Sequence, residues 1–323
     1  MKVLFCLPVY MIFEERCSTL AKVLVEQGHE VYCAVQRGPA EGDYPTIECA
    51  WGAFELGPII DIDPDLIIMW NGHFNDIHAA YIWLKRRYKL AIMEMGWYQR
   101  SHHSYLLEDL AQASSLAEVP YEEGVASEDR YQEVLQDVRG KYDTNLPAGL
   151  EIPKAFIFMP MQLEYDTQIV HTSPIFKTMA SAIGYVQRCV PGAPVIVRNH
   201  PLDEFISRPH GVIDMTSCSP SLPLALASTL VVGINSTVLA EAMLFRRPVV
   251  ALGAHVAKKA FTSAVHMGPT YLSLRDGYIS NNFMDICDYR SLVLNHNQWP
   301  TQDVPGWLID KIEHFDFSPR IPT

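Results

Sequence analysis

The sequence predicts an α/β protein built from two domains, each a parallel sheet with helices on its faces. Three observations carry that expectation. Short apolar runs rich in β-branched residues alternate with stretches of helical apolar spacing along the chain. A length of 323 residues suits two cores better than one. A connector at 141–153, with the breakers Pro147, Gly149 and Pro153, stands between two sets of alternating elements. The expected domains are 1–146 and 147–303, with a terminal helix in 304–323 packing back on the first.

In the first half, Lys2–Leu7 reads as a strand, Phe13–Gln27 as an amphipathic helix closed by Gly28, and Glu30–Val35 as the second strand. Pro58–Pro64 reads as a loop before the strand Asp65–Trp70, whose end carries Asn71-Gly72-His73. Ile77–Arg87 follows as a helix, and Leu90–Met93 as a strand ending in Glu94-Met95-Gly96. A carboxylate at a strand end followed by glycine suits a site, because glycine lets the backbone pass close to a ligand. The alternative is an ordinary turn glutamate. Glu108 to Gly140 is acidic and helical in composition.

In the second half, Ala155–Met159 reads as a strand, Pro174–Arg188 as a helix, and Val195–Val197 as a strand ending in Arg198-Asn199-His200-Pro201. A short strand follows near Val212-Ile213. Leu230–Ile234 then runs through Asn235-Ser236-Thr237 into a helix over Val238–Phe245, and Val249–Leu252 is the next strand. Trp307–Phe315 is the terminal helix. A helix N-terminus at the carboxyl end of a strand offers unpaired N–H groups and a positive dipole end. Ser236 and Thr237 hydroxyls among those donors suit a phosphate; a plain N-cap is the other reading. Arg198 and His200 occupy a second strand end of the same expected sheet, where ligands of open α/β sheets gather.

Composition narrows the classes. The net charge of −12 argues against broad nucleic-acid binding, and the one dense basic cluster, Lys85-Arg86-Arg87 with Lys89, reads as a solvated helix end. Seven cysteines, odd in number and without CxxC spacing, fit reduced thiols in the cytoplasm. Twelve histidines form no HExxH or Cys/His ligand spacing, so a zinc site is not expected, and with no Asp-x-Asp motif at a strand end neither a bound metal nor a cofactor is required. The apolar run at the amino terminus is too short for a signal sequence, and no run reaches membrane-spanning length, so any membrane contact is expected to be peripheral.

Glu94-x-Gly96, Gln162, Asp166-x-Gln168, Ser173, His200-Pro201 and Asn235-Ser236-Thr237 with Glu241-Ala242 resemble, in order, the motif blocks of one family. These are the capsular-polysaccharide biosynthesis glycosyltransferases, the group that includes bacterial Kdo transferases. Bacterial sialyltransferases and CDP-glycerol-type polymerases are more distantly similar. The resemblance implies a GT-B fold, two Rossmann-like domains facing each other across a cleft, with a nucleotide-sugar donor held mostly by the second. It implies that His200 contacts the donor phosphate, in some members as an acid toward the leaving group. Ser236 and Thr237 would bind that phosphate, with Arg198, Asn235, Glu241, Gln162, Asp166 and Gln168 completing the donor site. Glu94 would face the anomeric carbon as base or in a covalent mechanism. Two positions depart from the family: Met95 stands where a second carboxylate is common, and Arg198 where a lysine is usual.

The chemistry agrees with the residues. A departing phosphate gains charge that a helix N-terminus, hydroxyls, His and Arg stabilise, while a carboxylate deprotonates an acceptor hydroxyl. The expected reaction moves a sugar from a CMP- or UDP-linked donor to a glycan or glycolipid hydroxyl. Two other readings remain open here: a phage-type glycosyltransferase acting on modified nucleic acid bases, and a catalytically silent binding subunit, which Met95 favours.

Overall fold

Val3–Leu7, Leu66–Trp70 and Leu90–Met93 are buried without a break, as strands covered on both faces must be. The computed structural model describes residues 1–8, 10–35, 44–48, 56–71, 83–96, 103–107, 128–166, 169–170, 173, 175–203, 210–245, 247–253, 298–300, 302–314 and 317. The strands are β1 (Lys2–Leu7), β2 (Glu30–Val35), β3 (Thr46–Glu48), β4 (Leu66–Trp70), β5 (Leu90–Met95) and β6 (His103–Leu107). They continue as β7 (Ile157–Pro160), β8 (Val195–Arg198), β9 (Ile213–Asp214), β10 (Leu230–Gly233), β11 (Val249–Ala251) and β12 (Gln298–Pro300). The helices are α1 (Tyr10–Ile12), α2 (Ser18–Glu26), α3 (Leu56–Ile62) and α4 (Glu128–Lys141). After them come α5 (Met179–Cys189), α6 (Ser221–Ala227), α7 (Thr237–Leu244) and α8 (Gly306–His314).

The chain divides into two compact units, Met1–Ser115 with His296–Thr323, and Leu116–Asn295. In the first, β1–β5 are parallel in the order β3-β2-β1-β4-β5, and β6 and β12 extend the β5 edge antiparallel. One sheet face, with Phe5, Leu7, Ile68 and Met93, packs on Leu20 and Leu24 of α2 and on Leu308 and Ile312 of α8. The other, with Leu4, Cys6, Met69, Leu90 and Ile92, packs on Ile59 of α3 and on Leu84 and Tyr88. Lys311 Nζ of α8 donates to the Leu106 carbonyl at 2.7 Å, tying the terminal helix to this unit.

Two elements of the first unit differ from the sequence reading. The segment at 58–64 is not a loop but mostly helix, α3. Pro58 falls in its first turn, where the missing N–H is not needed, and buried Ile59 holds it to the sheet. The helix after β1 starts at Tyr10 and contains a π-helical turn over Phe13–Cys17. Phe13 packs edge-on against Phe5 at 5.6 Å there and stacks on Tyr10 at 5.5 Å. Of the helix expected over 77–87, residues 83–87 are helical and 77–82 lie outside the described residues.

The second unit repeats the first unit's parallel order, β9-β8-β7-β10-β11. It begins ahead of the 141–153 connector, which lies within it. Arg139 of α4 sits over the Phe245 ring at 5.7 Å, a contact internal to this unit. At the far edge, the Gly253 N–H donates to the Ile234 carbonyl at 2.8 Å. A Cβ on Gly253 would lie 2.7 Å from Ile234 Cγ2 and 3.1 Å from the Ile234 oxygen. Gly253→Ala is therefore expected to destabilise the fold by about 1–3 kcal/mol, read as a lower urea midpoint.

Among the described residues, no helix is long and apolar enough to cross a membrane. Cys6, Cys17 and Cys33 are buried cysteines outside any disulfide, and burial pushes the Cys17 thiol up. Cys189 is half-buried and Cys218 exposed, while Cys49 and Cys287 lie outside the described residues.

Candidate active site

The order β9-β8-β7-β10-β11 reverses its direction of growth between β7 and β10. Ligands of open parallel sheets bind outside the carboxyl ends of the strands at such a switch point. Two expected site residues meet across it. Gln162, just past β7, donates from Nε2 to Asn235 Oδ1 at 2.8 Å, and the Asn235 N–H donates to Gln162 Oε1 at 3.1 Å. The pair fixes the turn that launches α7. Ser236 is the N-cap of α7, its Oγ accepting from the Val238 N–H at 3.3 Å. Capping and phosphate binding are compatible here, because the first N–H groups of a helix outnumber the bonds one cap can make. Thr237 opens the helix, and Glu241 lies one turn on, along the same face.

Arg198 ends β8, which pairs with β7 and so stands on the other side of it from β10. Two strand spacings of about 4.8 Å bring the β8 and β10 ends within about 10 Å, the span of a ligand's phosphate and neighbouring groups. Arg198 donates from Nε to the Ser219 carbonyl at 2.9 Å and from a terminal nitrogen to the Asn199 carbonyl at 3.0 Å. Among the described residues its partners are all neutral, and burial pulls the guanidinium below its ordinary pKa. Such a cation gains from an anionic partner. His200 Nδ1 accepts from the Leu202 N–H at 3.2 Å. In the neutral ring Nε2 then carries the proton and is the nitrogen able to donate to a phosphate oxygen.

The turn that presents these groups is braced by residues the sequence reading passed over. Thr216 Oγ1 accepts from the Asn199 N–H at 2.9 Å and donates to Asp214 Oδ1 at 2.6 Å. The Asp214-x-Thr216 spacing after a strand was the available signal, since it is a side-chain-capped turn. Other expected residues sit in local structure. The Asp166 carbonyl accepts from the Ile169 and Val170 N–H groups at 2.8 and 2.9 Å. Buried Ser173 donates to the Phe176 carbonyl at 2.6 Å. Gln168 lies outside the described residues.

In the first unit, Glu94 is inside β5, which runs one residue beyond it. It lies opposite Tyr105 of β6, and the Tyr105 hydroxyl donates to Glu94 Oε2 at 2.5 Å. Tyr105 is nearly fully buried, so it holds one carboxylate oxygen in a fixed place. Nothing in the spacing of the sequence pairs these two, because no local pattern marks β6 as the strand beside β5. Met95 projects to the other sheet face, beside the core that contains Met93. Arg16 of the π-helical turn reaches its sulfur at 3.8 Å. The position of the family's second carboxylate is thus taken up by packing, on the face away from Glu94.

No protein-family model matches the sequence, and no curated protein matches it. Two solved structures from Thermosulfurimonas dismutans are similar. One is KpsC, beta Kdo 2,7 transferase, at 13% identity over 92% of both chains with a TM-score of 0.57. The other is KpsC, beta Kdo 2,4 transferase, at 12% identity over 90% of this chain and 89% of that one, with a TM-score of 0.52. At this identity the likeness is one of fold: the chain has the mixed α/β, parallel-sheet GT-B fold of these transferases.

Proposed function

We propose that this protein is a glycosyltransferase that moves a sugar from a nucleotide-activated donor to a hydroxyl of a glycan or glycolipid. The observation that carries the reading is Arg198. A half-buried guanidinium with only neutral partners among the described residues stands at a strand end, beside His200 and one strand from the switch point. The second unit then holds the donor's phosphate through Arg198, His200, Ser236, Thr237 and the N–H groups that open α7. Asn235 and Gln162 fix that turn, and Glu241, Asp166 and Gln168 complete the donor side. The first unit holds the acceptor. Glu94 takes the proton of the acceptor hydroxyl, whose oxygen forms the new bond at the anomeric carbon. The bond from that carbon to the phosphate oxygen breaks, and the phosphate leaves with the electron pair.

The donor class favoured is a CMP-linked acidic sugar over a UDP-linked one, since Arg198 can clamp a carboxylate in bidentate fashion as well as a phosphate. No cofactor beyond the donor is required by these steps. The net charge of −12 weighs against a nucleic acid acceptor. Cysteines outside any disulfide accord with a reducing compartment, and we place the reaction in the cytoplasm.

Thermal denaturation against a nucleotide panel tests the donor site. A cognate nucleotide at 100 times its Kd stabilises by about 2.7 kcal/mol. The expected result is a raised melting temperature with CMP or UDP that is lost in Arg198→Gln. A flat response to every nucleotide overturns the reading.

A further inference from the structure

Asn71 follows β4 directly and adopts a left-handed backbone with φ 57°. Its N–H donates to the Met93 carbonyl at 2.9 Å, which fixes it beside β5 one residue before Glu94. Its side-chain Oδ1 is buried and has no hydrogen-bond partner among the described residues. Both features disfavour the folded chain. A left-handed conformation crowds the Cβ of any L residue, and a buried acceptor has given up water without replacement. Glycine at this position would avoid both. The strand pairing uses the backbone N–H of Asn71 and makes no demand on its amide. Strain and orphaned polar atoms gather where a protein meets a ligand.

The topology gives the same location. In β3-β2-β1-β4-β5 the order reverses its growth between β1 and β4, so the ligand crevice opens at the carboxyl ends of those two strands. Asn71 stands at that end of β4, and Glu94 on the next strand, about 4.8 Å away across the sheet. An amide oxygen only accepts hydrogen bonds, so its partner is an O–H or N–H group and not a phosphate or carboxylate.

We propose that Asn71 Oδ1 accepts a hydrogen bond from a hydroxyl of the acceptor sugar and so positions that sugar against Glu94. The inference rests on the glycosyltransferase reading. A hydroxyl that donates to Asn71 cannot give the same proton to Glu94, so Asn71 holds a neighbouring hydroxyl and leaves the reacting one to the base.

Asn71→Gly keeps the left-handed backbone and deletes only the amide. The expected result is an acceptor KM raised roughly tenfold, the worth of one hydrogen bond. Donor KM and kcat at saturating acceptor hold, and the melting temperature holds or rises. A lowered melting temperature with an unchanged acceptor KM overturns the proposal and makes the amide structural. A donor KM that rises with the acceptor KM also overturns it. Wild-type protein that transfers from no donor rejects the glycosyltransferase reading and this inference with it. Wild-type transfer combined with an unchanged acceptor KM in Asn71→Gly rejects the inference alone.

Discussion

Glu94→Gln is expected to lower sugar transfer by about 10²–10⁴-fold while leaving nucleotide binding intact. The substitution preserves shape, and the Gln carbonyl can still accept the Tyr105 hydroxyl that now reaches Glu94 Oε2 at 2.5 Å. What it removes is the proton acceptor. Donor binding is expected to survive because the groups proposed to hold the phosphate belong to the second unit, so the nucleotide-induced rise in melting temperature is the internal control. Tyr105→Phe separates orientation from basicity. It keeps the carboxylate and loses the bond that aims it, so transfer falls by only about tenfold. Near-normal transfer by Glu94→Gln would move the role of base to His73, Asp76 or His102, which lie outside the described residues. A wild-type protein inert toward a broad donor and acceptor panel would return the binding-subunit reading.

The parallel strands were the most legible part of the fold, because burial on both faces leaves no polar residue to interrupt them. β1 and β2 match their apolar runs residue for residue, and β4, β8 and β10 match within one. Edges and short pieces were not legible. β3, β6 and β12 are three to five residues long and lie beside or beyond the parallel core. Such pieces owe their conformation to the neighbour they pair with, which no local pattern reveals. α3 was hidden by Pro58, read as a breaker where it is an opener.

The candidate site divides along the same line. Residues at strand ends were found because their chemistry interrupts an apolar run: Arg198 and His200 after Val195–Val197, Asn235 to Thr237 after Leu230–Gly233. Partners supplied by another strand were not. Tyr105 holding Glu94, Thr216 holding Asn199, and Gln162 clasping Asn235 are pairs made by strand order. Separations of 11, 17 and 73 residues carry no periodic signal. Gln162 was placed in the site through the family resemblance, yet its bond to Asn235 across the switch point is a fact of topology.

His200→Ala is expected to reduce transfer by about 10²-fold or more, with most of the loss in kcat rather than in donor affinity. Charge on the leaving phosphate grows as the bond to the sugar breaks, so a donor aimed at that oxygen is worth more in the transition state than in the bound substrate. The ring is prepared for this. Nδ1 already accepts the Leu202 N–H at 3.2 Å, which leaves the proton on Nε2 of the neutral imidazole. The Asp214–Thr216–Asn199 chain of hydrogen bonds holds the adjoining turn in place. His200→Gln supplies an amide N–H in roughly the position of Nε2 and is expected to recover part of the lost kcat. Recovery by Gln assigns His200 a hydrogen-bonding role, whereas equal losses in Ala and Gln variants assign it proton transfer to the leaving group. A His200→Ala protein whose kcat is unchanged and whose donor KM alone rises would leave His200 as a ground-state contact, and transfer would then depend on Arg198 and the N-terminus of α7 for leaving-group stabilisation.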